Sequence, residues 1–108
     1  MAQLPVRIIL PSTAKKGDII EIKTLIQHAM ETGYRRDDVG KPIPRDIITT
    51  FAVTYGGVEV FKADFNQGVA ANPYVAFTTI ATESGELVFT WLDERGAATI
   101  ERRKVTVS

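Results

Sequence analysis

The chain has 108 residues, of which 44% are hydrophobic and 24% charged, so its composition is that of one globular domain rather than of a disordered segment. Its 13 lysines and arginines balance 13 aspartates and glutamates. The chain therefore lacks the excess of basic residues that is typical of proteins that bind nucleic acid. It has no cysteine, so it can form no disulfide, no thiolate zinc site and no thiol nucleophile of its own.

Neither the apolar runs nor the N-terminal segment predicts contact with a membrane. No stretch approaches the length of a membrane-spanning helix. The first 18 residues, MAQLPVRIILPSTAKKGD, contain a short apolar run that Arg7 interrupts and that no basic region precedes, unlike a signal peptide. We therefore expect a cytosolic protein, or one that is exported only with a partner that carries the signal.

Glycine and proline divide the chain into seven apolar segments that we predict to be β-strands. All eight glycines and all five prolines fall between these segments or at their edges, as turn residues do in a β protein. In chain order, the predicted strands are Val6–Leu10, Asp18–Gln27, Ile47–Tyr55, Val58–Phe65, Tyr74–Thr82, Glu86–Asp93 and Ala98–Val107.

Period-2 alternation supports most of these strands. Apolar residues share one face of a strand most clearly at Ile20, Ile22 and Ile26 and at Leu87, Phe89 and Trp91. The best helical candidate, residues 45–55, is rich in isoleucine, threonine and valine, whose branched side chains disfavour a helix. We therefore predict an all-β chain.

Three connections are predicted to be hairpin turns in which glycine takes positive φ. They are residues 55–58 with Gly56 and Gly57, residues 82–86 with Gly85, and residues 93–97 with Gly96. The charged run at 101–104, ERRK, is typical of an edge strand that is protected against aggregation. Together these features predict a single domain, 1–108, with an immunoglobulin-like antiparallel β-sandwich of about seven strands and Trp91 in its core.

Residues 28–46, HAMETGYRRDDVGKPIPRD, interrupt the strand pattern and form the best candidate for a functional site. They hold the only histidine, His28, and eight charged residues, four of each sign. No nucleophile elbow accompanies this histidine, and the adjacent Asp37 and Asp38 would point to opposite sides of an extended backbone. We expect these two aspartates to pair with Arg35 and Arg36 in a solvated loop, and we expect no catalytic residue, no metal site and no cofactor.

The residue types in this loop favour recognition of another protein. An aromatic residue, a methionine and arginines are enriched in protein interfaces, and loops on rigid scaffolds commonly carry binding residues. The candidate partner-binding residues are His28, Met30, Tyr34, Arg35, Arg36, Ile43 and Pro44. We expect His28→Ala or Arg35→Ala to weaken partner binding more than it lowers the melting temperature.

The same loop resembles the Z subunit of the SoxYZ complex of bacterial thiosulfate oxidation. The matching residues are His28, Met30, Glu31, Thr32, Gly33, Arg35, Asp37, Gly40, Lys41, Ile43 and Pro44, and segments 70–77 and 87–96 extend the resemblance over nearly the whole chain. The resemblance implies an immunoglobulin-like, non-catalytic subunit. It implies a heterodimer with a SoxY-like carrier subunit whose C-terminal cysteine carries sulfur covalently, transient contacts with other Sox enzymes, and export to the periplasm bound to the carrier.

Two other functions remain open from the residues alone. A sandwich of this kind could bind a small molecule or carbohydrate if Tyr34, Tyr74 and Trp91 provide stacking surfaces. A small hydrolase would need His28 to act with Asp37 and Asp38.

Overall fold

Eight strands and no helix make up the described part of the protein, residues 4–108 of a computed structural model. In chain order the strands are β1 (Val6–Ile9), β2 (Thr13–Ala14), β3 (Ile19–Ile26), β4 (Ile48–Tyr55), β5 (Val58–Asp64), β6 (Tyr74–Ile80), β7 (Gly85–Asp93) and β8 (Ala98–Val107). They form a three-stranded sheet in the order β1–β3–β6 and a five-stranded sheet in the order β2–β8–β7–β4–β5. The predicted all-β, immunoglobulin-like sandwich is confirmed.

All seven predicted strands are present, and the strand that the sequence did not predict is β2. This strand has only two residues, too few for any alternation to be seen, and it pairs in parallel with the end of β8. The sandwich is therefore antiparallel except at this one pair. Since β2 covers only the last residues of β8, the charged part of β8 lies at the edge of its sheet, as predicted.

One of the three predicted hairpins is wrong. Residues 82–86 do not return the chain to a neighbouring strand, because β6 and β7 belong to different sheets. Gly85 does not adopt positive φ, and the connection is instead held by the Tyr55 hydroxyl, which donates to the Glu83 carbonyl. The other two hairpins are confirmed, with φ of 58° at Gly56, 85° at Gly57 and 87° at Gly96.

The core lies between the sheets and is formed by the alternate residues that the sequence predicted. The inward faces of β3 and β7 are buried at Ile20, Ile22, Ile26, Leu87, Phe89 and Trp91. Trp91 is 2% exposed and stacks on Phe51 of the same sheet with ring centroids 4.7 Å apart. Phe61 of β5 stacks on Phe77 of β6 at 4.5 Å, and this pair joins the two sheets at their β5–β6 side. The packed sandwich thus supports the loop between β3 and β4.

Candidate functional site

The loop between β3 and β4, residues 27–47, is folded as a narrow two-stranded ribbon. At its base, Glu31 and Asp46 exchange backbone hydrogen bonds of 2.8 and 2.9 Å. Halfway along, the Ile43 N–H donates to the Arg35 carbonyl at 2.9 Å. Because these bonds satisfy backbone groups in both arms, a segment without regular secondary structure has a defined shape.

The tip of the ribbon is closed by Asp37. Its Oδ1 accepts hydrogen bonds from the N–H groups of Val39 at 3.0 Å and Lys41 at 2.9 Å, which is a side-chain turn of the kind that aspartate favours. Arg36 donates from Nη1 to the Gly40 carbonyl at 2.9 Å. The expected pairing of the two aspartates with the two arginines is therefore wrong for Asp37 and Arg36, which both bond the backbone.

The root of the ribbon is fixed by Met30, which lies in the core. Met30 is 4% exposed, has positive φ of 51°, and its Sδ accepts a hydrogen bond from the Ile48 N–H at 3.3 Å. Its own N–H donates to Nδ1 of His28 at 2.9 Å. A non-glycine residue in this conformation costs roughly 1–3 kcal/mol, so neighbouring contacts must hold it in place.

His28 holds the same end of the ribbon through hydrogen bonds to Asn72. Its N–H donates to Oδ1 of Asn72 at 3.0 Å, and the Asn72 N–H donates to the His28 carbonyl at 2.7 Å. Because Nδ1 accepts from Met30, a neutral His28 carries its proton on Nε2, which lies 3.7 Å from Oδ1 of Asp46. Among the described residues the hydrogen-bonded neighbours of this histidine include no nucleophile, so its contacts give the hydrolase hypothesis no support.

One face of the ribbon packs against the connection between β5 and β6. The Tyr34 hydroxyl donates to Oε1 of Gln67 at 3.2 Å, and Nε2 of Gln67 donates to the Thr32 carbonyl at 2.8 Å. Gln67 and Asn72 are site residues that sequence reasoning missed. The Asn72-Pro73 pair marks a turn, but no local signal shows which loop 44 residues away that turn contacts.

The charged side chains of the ribbon form two ion pairs. Arg35 binds Glu31 with two nitrogens, Nη2 at 2.5 Å and Nε at 3.1 Å, and Arg45 binds Glu94 from Nε at 2.8 Å. The hydrogen bond from Arg35 holds the pKa of the Glu31 carboxyl below its ordinary value, and the same bond raises the pKa of Arg35. The first pair therefore ties one arm of the ribbon to itself and the second ties the other arm to the β7–β8 turn.

The structure divides the seven predicted partner-binding residues into two groups. Tyr34, Arg35, Arg36 and Pro44 are exposed and Ile43 is half-buried, so these five side chains can be reached by a partner. Met30 is in the core, and the His28 side chain is only 8% exposed. The sequence suggested contact residues at both positions because their side-chain types occur at interfaces. In the structure, both side chains are buried and make hydrogen bonds that hold the base of the loop.

A cleft of about 600 Å³ lies beside the root of the ribbon, between His28 and the start of β8. Of the three residues proposed for stacking, only Trp91 lines it, while Tyr34 bonds Gln67 and Tyr74 lies on the outer face of the three-stranded sheet. The three aromatic side chains proposed for stacking therefore do not converge. This removes the main argument for a carbohydrate or small-molecule site.

The described residues contain no group of three or more histidine, cysteine, aspartate or glutamate side chains that could hold a metal ion. Within the same residues, no helix is long and apolar enough to cross a membrane.

A protein-family model described as "Sulphur oxidation protein SoxZ" matches residues 6–104. The chain belongs to the SoxZ family. This membership gives it a role in sulphur oxidation by the Sox proteins, and it agrees with the resemblance seen in residues 28–46. A search of curated proteins found no match.

Solved structures share the fold of this SoxZ-family chain. A superoxide reductase (neelaredoxin) from Ignicoccus hospitalis superimposes with a TM-score of 0.73 at 18% identity, covering 95% of this chain and 80% of that one. The sulfur carrier protein SoxY from Chlorobium limicola f thiosulfatophilum superimposes with a TM-score of 0.64 at 13% identity, covering 94% of this chain and 74% of that one. At these identities the shared property is the fold.

Proposed function

We propose that this chain is a non-catalytic subunit that binds a SoxY-type sulfur carrier and presents it to the other enzymes of sulphur oxidation. The observation that carries the proposal is the SoxZ-family match over residues 6–104. The sulfur travels on a cysteine of the carrier, and this chain supplies the surface that holds the carrier.

The composition of the chain supports the assignment of the covalent chemistry to the partner. A chain without cysteine cannot bear a persulfide or a related sulfur adduct on a thiol. The only histidine is already hydrogen-bonded at Nδ1 and at both backbone groups. The contacts of its side chain thus favour a structural role.

The exposed part of the ribbon is the proposed recognition surface for the carrier or for an enzyme that acts on it. Tyr34, Arg35 and Arg36 supply an aromatic ring and two guanidinium groups, the side chains that contribute most at interfaces. Ile43 and Pro44 add apolar area on the second arm. His28 and Met30 position these groups, since they fix the backbone where the ribbon leaves the sandwich.

The working compartment in this proposal is the periplasm. Membership of the SoxZ family supports this compartment. The chain would be exported as a complex with the carrier, and its contacts with the other Sox enzymes would be transient.

The test is reconstitution of thiosulfate oxidation from purified Sox enzymes, the carrier and this chain, followed by thiosulfate-dependent electron transfer. We expect the rate to fall to background when this chain is omitted, and we expect the chain alone to consume no thiosulfate. An unchanged rate without the chain, or turnover by the chain alone, would contradict the proposal.

A further inference from the structure

Strand β6 has one edge that no other described strand covers. It pairs only with β3, and the two bonds that flank this ladder are Ile26 N–H to the Pro73 carbonyl at 3.2 Å and Ala81 N–H to the Asp18 carbonyl at 2.8 Å. In an antiparallel ladder, alternate residues bond the neighbour and the others face away. The residues of β6 whose N–H and C=O groups face away from β3 are therefore Tyr74, Ala76, Thr78 and Ile80.

This edge lacks the protection that the other edges of the sandwich have. Charged residues of the other edge strands are Arg7 in β1, Glu59, Lys62 and Asp64 in β5, and Glu101, Arg102, Arg103 and Lys104 in β8. The sequence of β6, YVAFTTI, has no charge and no proline, and its pairing with β3 has no bulge. Edge strands normally carry such features because a bare edge pairs with other chains.

The side chains on the outer face of β6 suit a strand laid antiparallel beside it. Tyr74 is 59% exposed at one end and Ile80 is 54% exposed at the other, with Ala76 and Thr78 between them. None of these four residues carries a charge, so no charge on this strand opposes an antiparallel neighbour centred on Phe77.

We propose that β6 is the strand through which this chain pairs with its carrier subunit, and that the equivalent edge strand of the carrier lies antiparallel to it. The inference rests on the proposed function. It commits to the carrier because a SoxY structure has the same fold over 94% of this chain and so offers an equivalent strand. The two domains then share one continuous sheet about a pseudo-two-fold axis.

The β6 edge also leads directly to the ribbon. Asn72, two residues before the strand, is hydrogen-bonded to His28, and Gln67 in the same connection is bonded to Tyr34. A domain that pairs with β6 therefore extends towards the ribbon at the Tyr74 end. The strand provides backbone pairing and the ribbon provides side-chain contacts, which is the division found in strand-addition complexes.

Amide hydrogen exchange, resolved by residue with NMR, tests the pairing directly. In the isolated chain we expect fast exchange at the amides of residues 74, 76, 78 and 80 and slow exchange at 75, 77 and 79, which bond β3. In the complex with the SoxY-family carrier of the same genome, the even-numbered amides should slow by at least about tenfold. Unchanged exchange at these amides in a complex that does form would overturn the inference.

Substitutions in β6 give the second arm of the test. Ala76→Pro removes an N–H that faces away from β3, and Thr78→Lys gives the edge the charge that it lacks. Each should weaken carrier binding by about tenfold or more. The control is Lys104→Pro, which removes an outward-facing N–H from β8 on the opposite side of the sandwich. Melting of each isolated chain checks that it folds.

The outcomes separate this inference from the proposed function. If wild-type chain and carrier form no complex, the proposed function fails. If they form a complex that both β6 variants leave unchanged, the proposed function stands and the β6 inference is wrong. If the even-numbered amides of the isolated chain become protected as its concentration rises, the occupant of the edge is a second copy and the commitment to the carrier is overturned.

Discussion

At the scale of single residues, the contact between His28 and Met30 decides the path of the ribbon. Met30 has φ of 51° and donates its N–H to Nδ1 of His28, so the imidazole stabilises a conformation that methionine rarely adopts. The same methionine side chain is buried and accepts from Ile48. A residue that looks like an interface side chain in the sequence is thus an anchor for the loop.

His28→Ala removes the acceptor of the Met30 N–H, and we expect it to destabilise the isolated domain by about 1–3 kcal/mol. For a domain of this size that lowers the melting temperature by several degrees, about 4–8 °C for each kcal/mol. His28→Asn is the matched control, since an asparagine oxygen can accept a hydrogen bond from the N–H two residues later in the chain. It should therefore retain most of the stability that the alanine variant loses. Equal melting temperatures for wild type and alanine variant would show that this contact carries no stability.

The ion pair of Glu31 and Arg35 predicts a specific dependence on pH. Because the pKa of Glu31 is lowered in the folded protein, the stabilisation from the pair is present above its ordinary value of 4.5 and is lost as pH falls through the folded value. In Arg35→Gln, NMR titration should show the pKa of Glu31 rising towards 4.5. The difference in urea midpoint between wild type and variant should shrink below pH 4.5. A pKa of Glu31 that is the same in both proteins would refute this.

At the scale of elements, β3 and β7 could be predicted most clearly because each has one buried face. Alternation along β3 and β7 follows from that burial, and their inward residues lie in the core. The two-residue β2 and the crossing at 82–86 could not be predicted, since neither produces a periodic pattern. Which sheet a strand joins is set by contacts between distant residues, and a hairpin-like sequence does not record them.

The ribbon was predicted as a recognition loop, but its contacts with distant parts of the sandwich were not predicted. Its glycines marked a loop, whereas its bonds to Gln67, Asn72 and Glu94 join residues 33 to 49 positions apart. Only the folded chain brings these residues together. The recognition role of the ribbon stays a prediction, which Arg35→Ala tests through its effect on partner binding.

Substitutions at Gly33 and Gly40 distinguish the effect of close packing on stability from the effect of backbone conformation. Both have positive φ, 88° and 82°, but a Cβ added at Gly33 would lie 3.0 Å from Cβ of Arg45, while one at Gly40 meets nothing within 4 Å. We expect Gly40→Ala to destabilise by roughly 1–2 kcal/mol from conformation alone and Gly33→Ala by more. Urea denaturation measures both. A smaller loss at Gly33 than at Gly40 would contradict the close packing.

At the scale of the whole molecule, stacking of Phe61 on Phe77 joins the edges of the two sheets beneath the proposed carrier-binding strand. Phe77→Ala should therefore lower the free energy of unfolding by about 3–5 kcal/mol. Val58→Ala, at an exposed position of β5, is the control and should change it by no more than about 0.5 kcal/mol. Urea unfolding gives both values. A loss below about 1 kcal/mol at Phe77 would mean that the sheets are joined elsewhere.

Residues 4–108 form a sandwich with an ordered ribbon and a bare edge strand, and the chain has no thiol. These features suit a subunit that holds another protein, and membership of the SoxZ family points to a sulfur carrier as that protein. In the proposed function, the chemistry of sulphur oxidation depends on a cysteine outside this chain.

Native mass spectrometry of the purified chain mixed with an equal amount of the SoxY-family carrier from the same genome tests the proposed carrier binding. We expect one dominant species whose mass is the sum of one carrier and one 11.9 kDa chain, formed at micromolar concentration and without any covalent link. Two separate proteins under these conditions, with the carrier folded and its cysteine intact, would contradict it.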